Sequence, residues 1–275
     1  VHIWDLIKVH YSWLQGDDSI LARNYLPAEL YPQLSKVHVT SAVLVQAANN
    51  LEDTELMLSA ASQNDWIKGV VGWVPLQDPS KTQALIENWK ATNTYLKGIR
   101  HLIHNEANEN WLLQDSVIES LKILAHHHIT YDIVGVKEAH LKAAITIAEK
   151  IPNLNLVLDH LNNPPIPHPS EMDTWRINIK VAAQHKNIHA KISGLAMATG
   201  QFETWTSADI QSSIEYAIEK FGTDRCFCGG DWPVSLLAGG YVKTIQAYRE
   251  IIENFLTIID QEKVFNKNAA LFYKL

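Results

Sequence analysis

Late in the chain, the segment Arg225-Cys-Phe-Cys-Gly-Gly-Asp-Trp-Pro-Val234 runs an apolar stretch into two glycines and then onto a carboxylate, Asp231. Glycines closing an apolar run mark a place where backbone approaches something closely, and Trp232-Pro233 stops the strand at once. Asp231 therefore stands at the C-terminal end of a buried strand, where a carboxylate can take a proton from water. The plain alternative is an aspartate that caps a helix or holds a turn. Two histidines far away in sequence, His2 and His160, also sit at the start or end of apolar runs. Neutral imidazoles together with a carboxylate are what an activated water or a zinc ion would use. Histidine alone is a weak signal, since the chain holds 13. The run His126, His127 and His128 reads as a helix end, and His168, His185 and His189 as loop, helix-end or strand-start residues.

These three groups can meet only if the fold brings them together. Eight apolar, β-branched runs recur: His2 to Trp4, Val37 to Gln46, Ile67 to Val74, Leu96 to Ile103, Ile129 to Val134, Leu154 to Leu161, Ile188 to Leu195 and Cys226 to Asp231. Between them lie stretches with apolar residues at three and four spacing: Asp53 to Gln63, Lys81 to Ala91, Asp115 to His126, Lys137 to Lys150, Thr174 to Gln184, Ser207 to Phe221 and Tyr241 to Phe255. Strand and helix alternating eight times predict an α/β fold of the (β/α)8 TIM-barrel class. An open doubly wound sheet is the alternative, but no Gly-x-Gly-x-x-Gly follows the first run. At 275 residues with no linker or repeat, residues 1–275 are expected to form one domain.

Chemistry in such a barrel gathers at the C-terminal strand ends, so what ends each run matters. Gln46, Trp73, Arg100, His101, Asp159, His160, Lys191, Ser193, Asp231 and Trp232 end six of them, with His2 and Trp4 on the first. Strand parity puts one of Arg100 and His101 toward the site and the other toward a helix. If His160 faces the axis, Asp159 faces outward or orients a neighbour. Lys191 either lines the site or forms a buried ion pair. Arg100 suits a substrate carboxylate or a polarised carbonyl, and Gln46 a hydroxyl. Trp4, Trp73 and Trp232 either stack on a sugar face or pack in the core. If Asp231 points inward, Phe227 and Gly229 do too, leaving Cys226 and Cys228 facing helices as free thiols.

With these residues in place, the chain resembles the amidohydrolase superfamily, and within it the branch of sugar-lactone and pyrone-dicarboxylate lactonases. The likeness rests on Val1-His-Ile-Trp-Asp5, Val43-Leu-Val-Gln46, Gly98-Ile-Arg-His101, Leu158-Asp-His160, Lys191-Ile-Ser-Gly194, Gly230-Asp-Trp-Pro233 and Asn268-Ala-Ala-Leu-Phe-Tyr273, nearly the whole chain. It implies hydrolysis of a small lactone, with Asp231 as base and His160 and His2 around the reacting carbonyl. His2 corresponds to the second histidine of a His-x-His pair, so the resemblance implies that the first strand begins upstream of Val1. The fourth run offers no bridging carboxylate and the fifth no histidine. The resemblance thus implies at most one divalent ion, such as zinc, on His2, His160 and Asp231, or none. Gln46, Arg100, His101, Lys191, Trp4, Trp73 and Trp232 are the expected substrate contacts. A decarboxylase on the same scaffold and a catalytically silent sugar-binding barrel are the rival expectations.

The formal net charge of -7 disfavours a nucleic-acid surface, which needs clustered Lys and Arg. No apolar run reaches membrane-span length and no leader pattern opens the chain, so the expected compartment is the cytoplasm and the expected partner a small lactone. Monomer and homo-oligomer are both compatible with this composition.

Overall fold

The computed structural model describes residues 1–275. Seven parallel strands pair in sequence order: β1 (Ala42–Val45), β2 (Ile67–Gly72), β3 (Leu96–His101), β4 (Thr130–Ile133), β5 (Leu156–Leu158), β6 (Ile188–Ile192) and β7 (Cys226–Cys228). Around them run α1 (Pro27–Lys36), α2 (Leu51–Gln63), α3 (Pro79–Thr92), α4 (Asp115–His126), α5 (Glu138–Lys150), α6 (Pro169–Ala182), α7 (Leu195–Ala198), α8 (Ser207–Phe221), α9 (Gly240–Phe255), α10 (Ile258–Glu262) and α11 (Asn268–Tyr273). Helix starts follow their capping chemistry. The side chains of Asn50 and Asp78 accept backbone N–H groups at the head of α2 and α3, and Thr206 with Asp209 forms a capping box on α8.

Period-2 alternation divides the strands into two faces, and the buried residues divide with it. Val45, Val71, Val157 and Phe227 form one cluster with Phe272 and Tyr273 of α11. Leu44, Val70, Ile99, Tyr131, Leu156, Ile188 and Cys226, each on the opposite parity, join the larger core against the helices. The first set lines the barrel, and α11 plugs it. Cys226 Sγ faces the Ala217 carbonyl of α8, and both cysteines are free thiols.

The first apolar run behaves differently from expectation. β7 and β1 do not pair directly. Val1 and His2 stand between them: the Val45 N–H donates to Val1 O at 2.9 Å and the His2 N–H to Trp232 O at 2.6 Å. Trp4 leaves this line and makes an antiparallel bridge to Tyr25. Its indole is wholly buried, edge-on to Trp13 and Tyr25. Aromatic packing outcompetes continuation of the ladder, so the sheet has seven strands with a two-residue bridge at the seam, not eight strands. The result is the α/β barrel class expected. Helix α1 was not in the expected set; Pro27 at its first turn and buried Leu30 and Leu34 account for it. A cavity of about 400 Å³ runs along the seam, and none of His2, His160 and Asp231 lines it.

Candidate active site

Asp231, His160 and His2 converge although they are far apart in sequence. Asp231 Oδ1 lies 3.2 Å from His2 Nε2 and 3.9 Å from His160 Nε2. The Asp231 carboxylate makes no capping bond to a backbone N–H; His2 is its one hydrogen-bond partner in the protein. That disposes of the helix-cap alternative.

The backbone holding two of these groups is strained. Asp231 has φ 49°, and His160, Leu161, Asn162 and Asn163 form a left-handed run with φ between 51° and 55°. Left-handed residues other than glycine cost roughly 1–2 kcal/mol each, and such strain concentrates at functional sites. This turn also overrides strand parity. β5 ends at Leu158, so Asp159 still points into the barrel while His160 swings toward Asp231; of the two expected roles for Asp159, facing outward or orienting a neighbour, it takes the second, on Arg100 and Lys191. Two glycines are required nearby. A Cβ on Gly194, itself at φ 62°, would meet His160 Nδ1 at 2.5 Å, and one on Gly230 would meet the Tyr241 ring at 2.0 Å.

Proton positions follow from the partners. Val45 O can only accept, so His2 Nδ1, 2.7 Å away, carries a hydrogen. Burial pushes the His2 pKa down to about 4, so the ring is neutral and its Nε2 lone pair faces the carboxylate. Two acceptors at 3.2 Å call for a proton or a cation between them. His160 Nδ1 lies 2.8 Å from Ser193 Oγ. A hydroxyl donating there leaves the Nε2–H of His160 on the Asp231 side. Burial opposes ionisation of Asp231, but the attraction of His160 outweighs it and holds its carboxyl below the ordinary range.

Beneath this trio lies a closed charge network. Arg100 Nη1 donates to Asp159 Oδ2 at 2.8 Å, its Nε to Gln46 Oε1 at 3.1 Å and its Nη2 to Gln46 O. Lys191 Nζ reaches Asp132 Oδ2 at 2.6 Å and Asp159 Oδ1 at 2.5 Å, and the Tyr273 hydroxyl donates to Asp132 Oδ2 at 2.6 Å. Against the penalty of burial, Lys191 and Arg100 hold Asp159 ionised well below the usual carboxylate range, and Asp132 and Asp159 keep Lys191 charged. Two cations thus match two carboxylates. Lys191 is the buried ion pair foreseen as one of its two roles, and Arg100 and Gln46 are spent inside the barrel. In this structure Arg100 and Gln46, expected as substrate contacts, are buried and bonded to each other.

Of the tryptophans, Trp4 donates to the carbonyls of Leu21 and Arg23, and Trp232 packs edge-on against Tyr25. Both belong to the core and not to an accessible mouth. Trp73 is half-buried, and its Nε1–H donates to His101 Nδ1 at 2.9 Å. His101 stacks on Trp111 and reaches Glu106 Oε1 at 2.7 Å. Glu106 and Trp111 escaped sequence reading because they sit in short 3₁₀ turns and loops, where no period assigns a direction. His104 escaped too, and its Nδ1 is buried without a partner.

The protein-family model described as Amidohydrolase matches residues 9–275. The chain belongs to the amidohydrolase family. This amidohydrolase is 29% identical over its whole length, and 93% of the other chain's, to a protein of Burkholderia ambifaria named L-fucono-1,5-lactonase. A protein of the same name from Burkholderia multivorans is 27% identical, covering 100% of this chain and 94% of that one. A crystal structure of an amidohydrolase from Burkholderia multivorans with bound zinc matches with a TM-score of 0.91 at 25% identity, covering 100% of this chain and 97% of that chain. Two imidazoles and a carboxylate are donor types that zinc takes, and the His2 lone pair is turned toward Asp231 with its other nitrogen fixed on Val45 O. His160 would join them only in the tautomer that carries its hydrogen on Nδ1, toward Ser193 Oγ, and no three such groups are spaced as a formed metal cluster.

Proposed function

We propose that this amidohydrolase opens the ring of a small sugar lactone by adding water, with Asp231 as general base and then general acid. The observation that carries the reading is an ionised, buried carboxylate on a left-handed residue, bonded to nothing but an imidazole and facing a second one. Asp231 takes a proton from water, and the resulting hydroxide attacks the lactone carbonyl carbon. His160, with Nε2–H directed to the same point by Ser193, donates to the carbonyl oxygen as negative charge develops there. While Asp231 holds the proton, its Oδ1 can donate to His2 Nε2, which stabilises that intermediate state. The tetrahedral species collapses, the ring C–O bond breaks, and Asp231 returns the proton to the departing alkoxide. The product is the open-chain hydroxy acid. A divalent ion held by His2, Asp231 and the His160 tautomer with its hydrogen on Nδ1 would instead supply that polarisation of the carbonyl as a Lewis acid.

The two Burkholderia relatives named as L-fucono-1,5-lactonases support a lactone as substrate. The matched charges of Arg100, Lys191, Asp132 and Asp159 speak against a decarboxylase, because they leave no unpaired cation in that network for a substrate carboxylate. A panel of aldonolactones assayed by pH-indicator acid release, with and without chelator, tests the reading. Acid release without carbon dioxide is the expected result. Carbon dioxide release from an aromatic acid, with no lactone opened, would overturn it.

A further inference from the structure

His160 stands on backbone that does not hold itself. It opens a run of four left-handed residues, His160 to Asn163, none of them glycine, and each is disfavoured against the right-handed form. One bond closes the turn from within, from the Asn163 N–H to His160 O at 2.8 Å. The next carbonyl, Leu161 O, has no such local donor. A turn would satisfy it from the residue three or four places on, and those are Pro164 and Pro165, which carry no N–H. Leu161 is wholly buried, so solvent does not serve its carbonyl either.

The donor comes from a helix. Trp175, in the second turn of α6, is 5% exposed, and its Nε1–H donates to Leu161 O at 2.9 Å. An indole has one polar group, and here it is spent on the residue next to His160. Packing does not account for the choice of tryptophan: the ring leans on Tyr216 at 5.9 Å between centroids, a contact open to phenylalanine too. Only the bond to Leu161 O needs the N–H. Ser193 Oγ and Gly194 touch the imidazole itself, while Trp175 holds the backbone from which the imidazole hangs. The run also has somewhere to go. A cavity of about 300 Å³ lies beside it, with Asn162, Asn163, Trp175 and Asn178 among its walls. Without the indole bond, the run can relax into that space and carry the His160 ring away from Asp231.

We propose that Trp175 is a positioning residue for His160: through the Leu161 carbonyl it holds the left-handed run that aims the imidazole at Asp231. This rests on the lactonase reading, in which His160 donates to the carbonyl oxygen.

The test is steady-state kinetics on the best aldonolactone of a panel, for the parent enzyme, Trp175→Phe, His160→Gln and the double variant. Trp175→Phe is expected to lower kcat about 10-fold and to leave KM within about 2-fold, since His160 acts as charge develops on the carbonyl. In the His160→Gln background the same substitution should change kcat by less than about 2-fold, because residues that act through one group are not additive. A tryptophan that only supports the fold would lower activity by the same factor in both backgrounds. That result, or parental kcat in Trp175→Phe, would overturn the proposal and leave the lactonase reading standing. Should Trp175→Phe fail to fold, 3-benzothienylalanine at position 175 keeps the fused ring and puts sulfur in place of the N–H, and the same comparisons decide. Failure of both to fold would overturn the proposal, since the bond would then serve the fold as a whole. A parent that opens no lactone would overturn the lactonase reading, and this proposal with it.

Discussion

His160 owes its usefulness to one hydroxyl. Ser193 Oγ is 2.8 Å from its Nδ1, and no other side chain bonds that nitrogen. Replacing Ser193 with Ala frees the tautomer, so kcat is expected to fall about 10-fold with KM little changed, since the lost interaction matters as charge develops on the carbonyl. Steady-state kinetics check this, and an unchanged kcat would separate Ser193 from the chemistry. At this scale the sequence was informative where a residue type stood at a strand end: Asp231, His160 and His2 meet as the resemblance implied. It is silent where the deciding fact is a partner. Nothing local in Gly98-Ile-Arg-His101 says that Arg100 is already taken by Asp159 and Gln46, and an indole at a strand end does not reveal that Trp4 and Trp232 face Tyr25.

The elements explain why those residues hold their positions. The apolar run from Leu154 to Leu161 predicts a long strand, yet β5 is only Leu156–Leu158. Hydrophobic patterning does not register that Leu161, Asn162 and Asn163 turn left-handed. By the same limit the run Cys226 to Asp231 is three residues longer than β7, which ends at Cys228. Gly194 is the element-level hinge of the site, because only a residue without Cβ both tolerates φ 62° and clears the His160 ring. Gly194→Ala should cost on the order of 1–2 kcal/mol in urea unfolding and lower kcat together, the second through displacement of His160. A variant with parental kcat would show that the His160 position is not critical. Lys191 ties β6 to β4 and to the end of β5. Lys191→Met leaves Asp132 and Asp159 buried against one cation, so a loss of about 3–5 kcal/mol is expected by the same measurement. Loss below about 1 kcal/mol would mean the network relaxes.

The molecule as a whole is a barrel plugged by its last helix, with the charge network between plug and mouth. The alternation of strand and helix made that class legible. The seam did not follow, because two residues bridging β7 and β1 carry no periodicity of their own. Burial of neutral imidazoles gives the whole structure an acid limit. The pKa values of His104 and His189 are pushed down to about 4, mainly by burial, and that of His101 is also lowered. For groups depressed on folding, the stabilisation is complete above the unfolded value near 6.5 and is lost as pH falls toward 4. Asp53, raised by burial to about 6, acts in the opposite sense, its contribution fading as pH rises through 6. With His2, His127 and His140 lowered as well, six histidines against two raised carboxyls, Asp53 and Asp132, predict that the melting temperature drops by several degrees between pH 7 and pH 5, with proton uptake on unfolding. A flat profile over that range would contradict the neutral assignment.

The most direct measurement is the activity of purified Asp231→Asn on the best aldonolactone of the panel. Asparagine keeps the shape and removes the base, and general acid–base groups are worth on the order of 100- to 10,000-fold in rate. The account therefore predicts a kcat at least 100-fold below the parent, with an unchanged melting transition and retained substrate binding. An Asp231→Asn enzyme working within several-fold of the parent would contradict it.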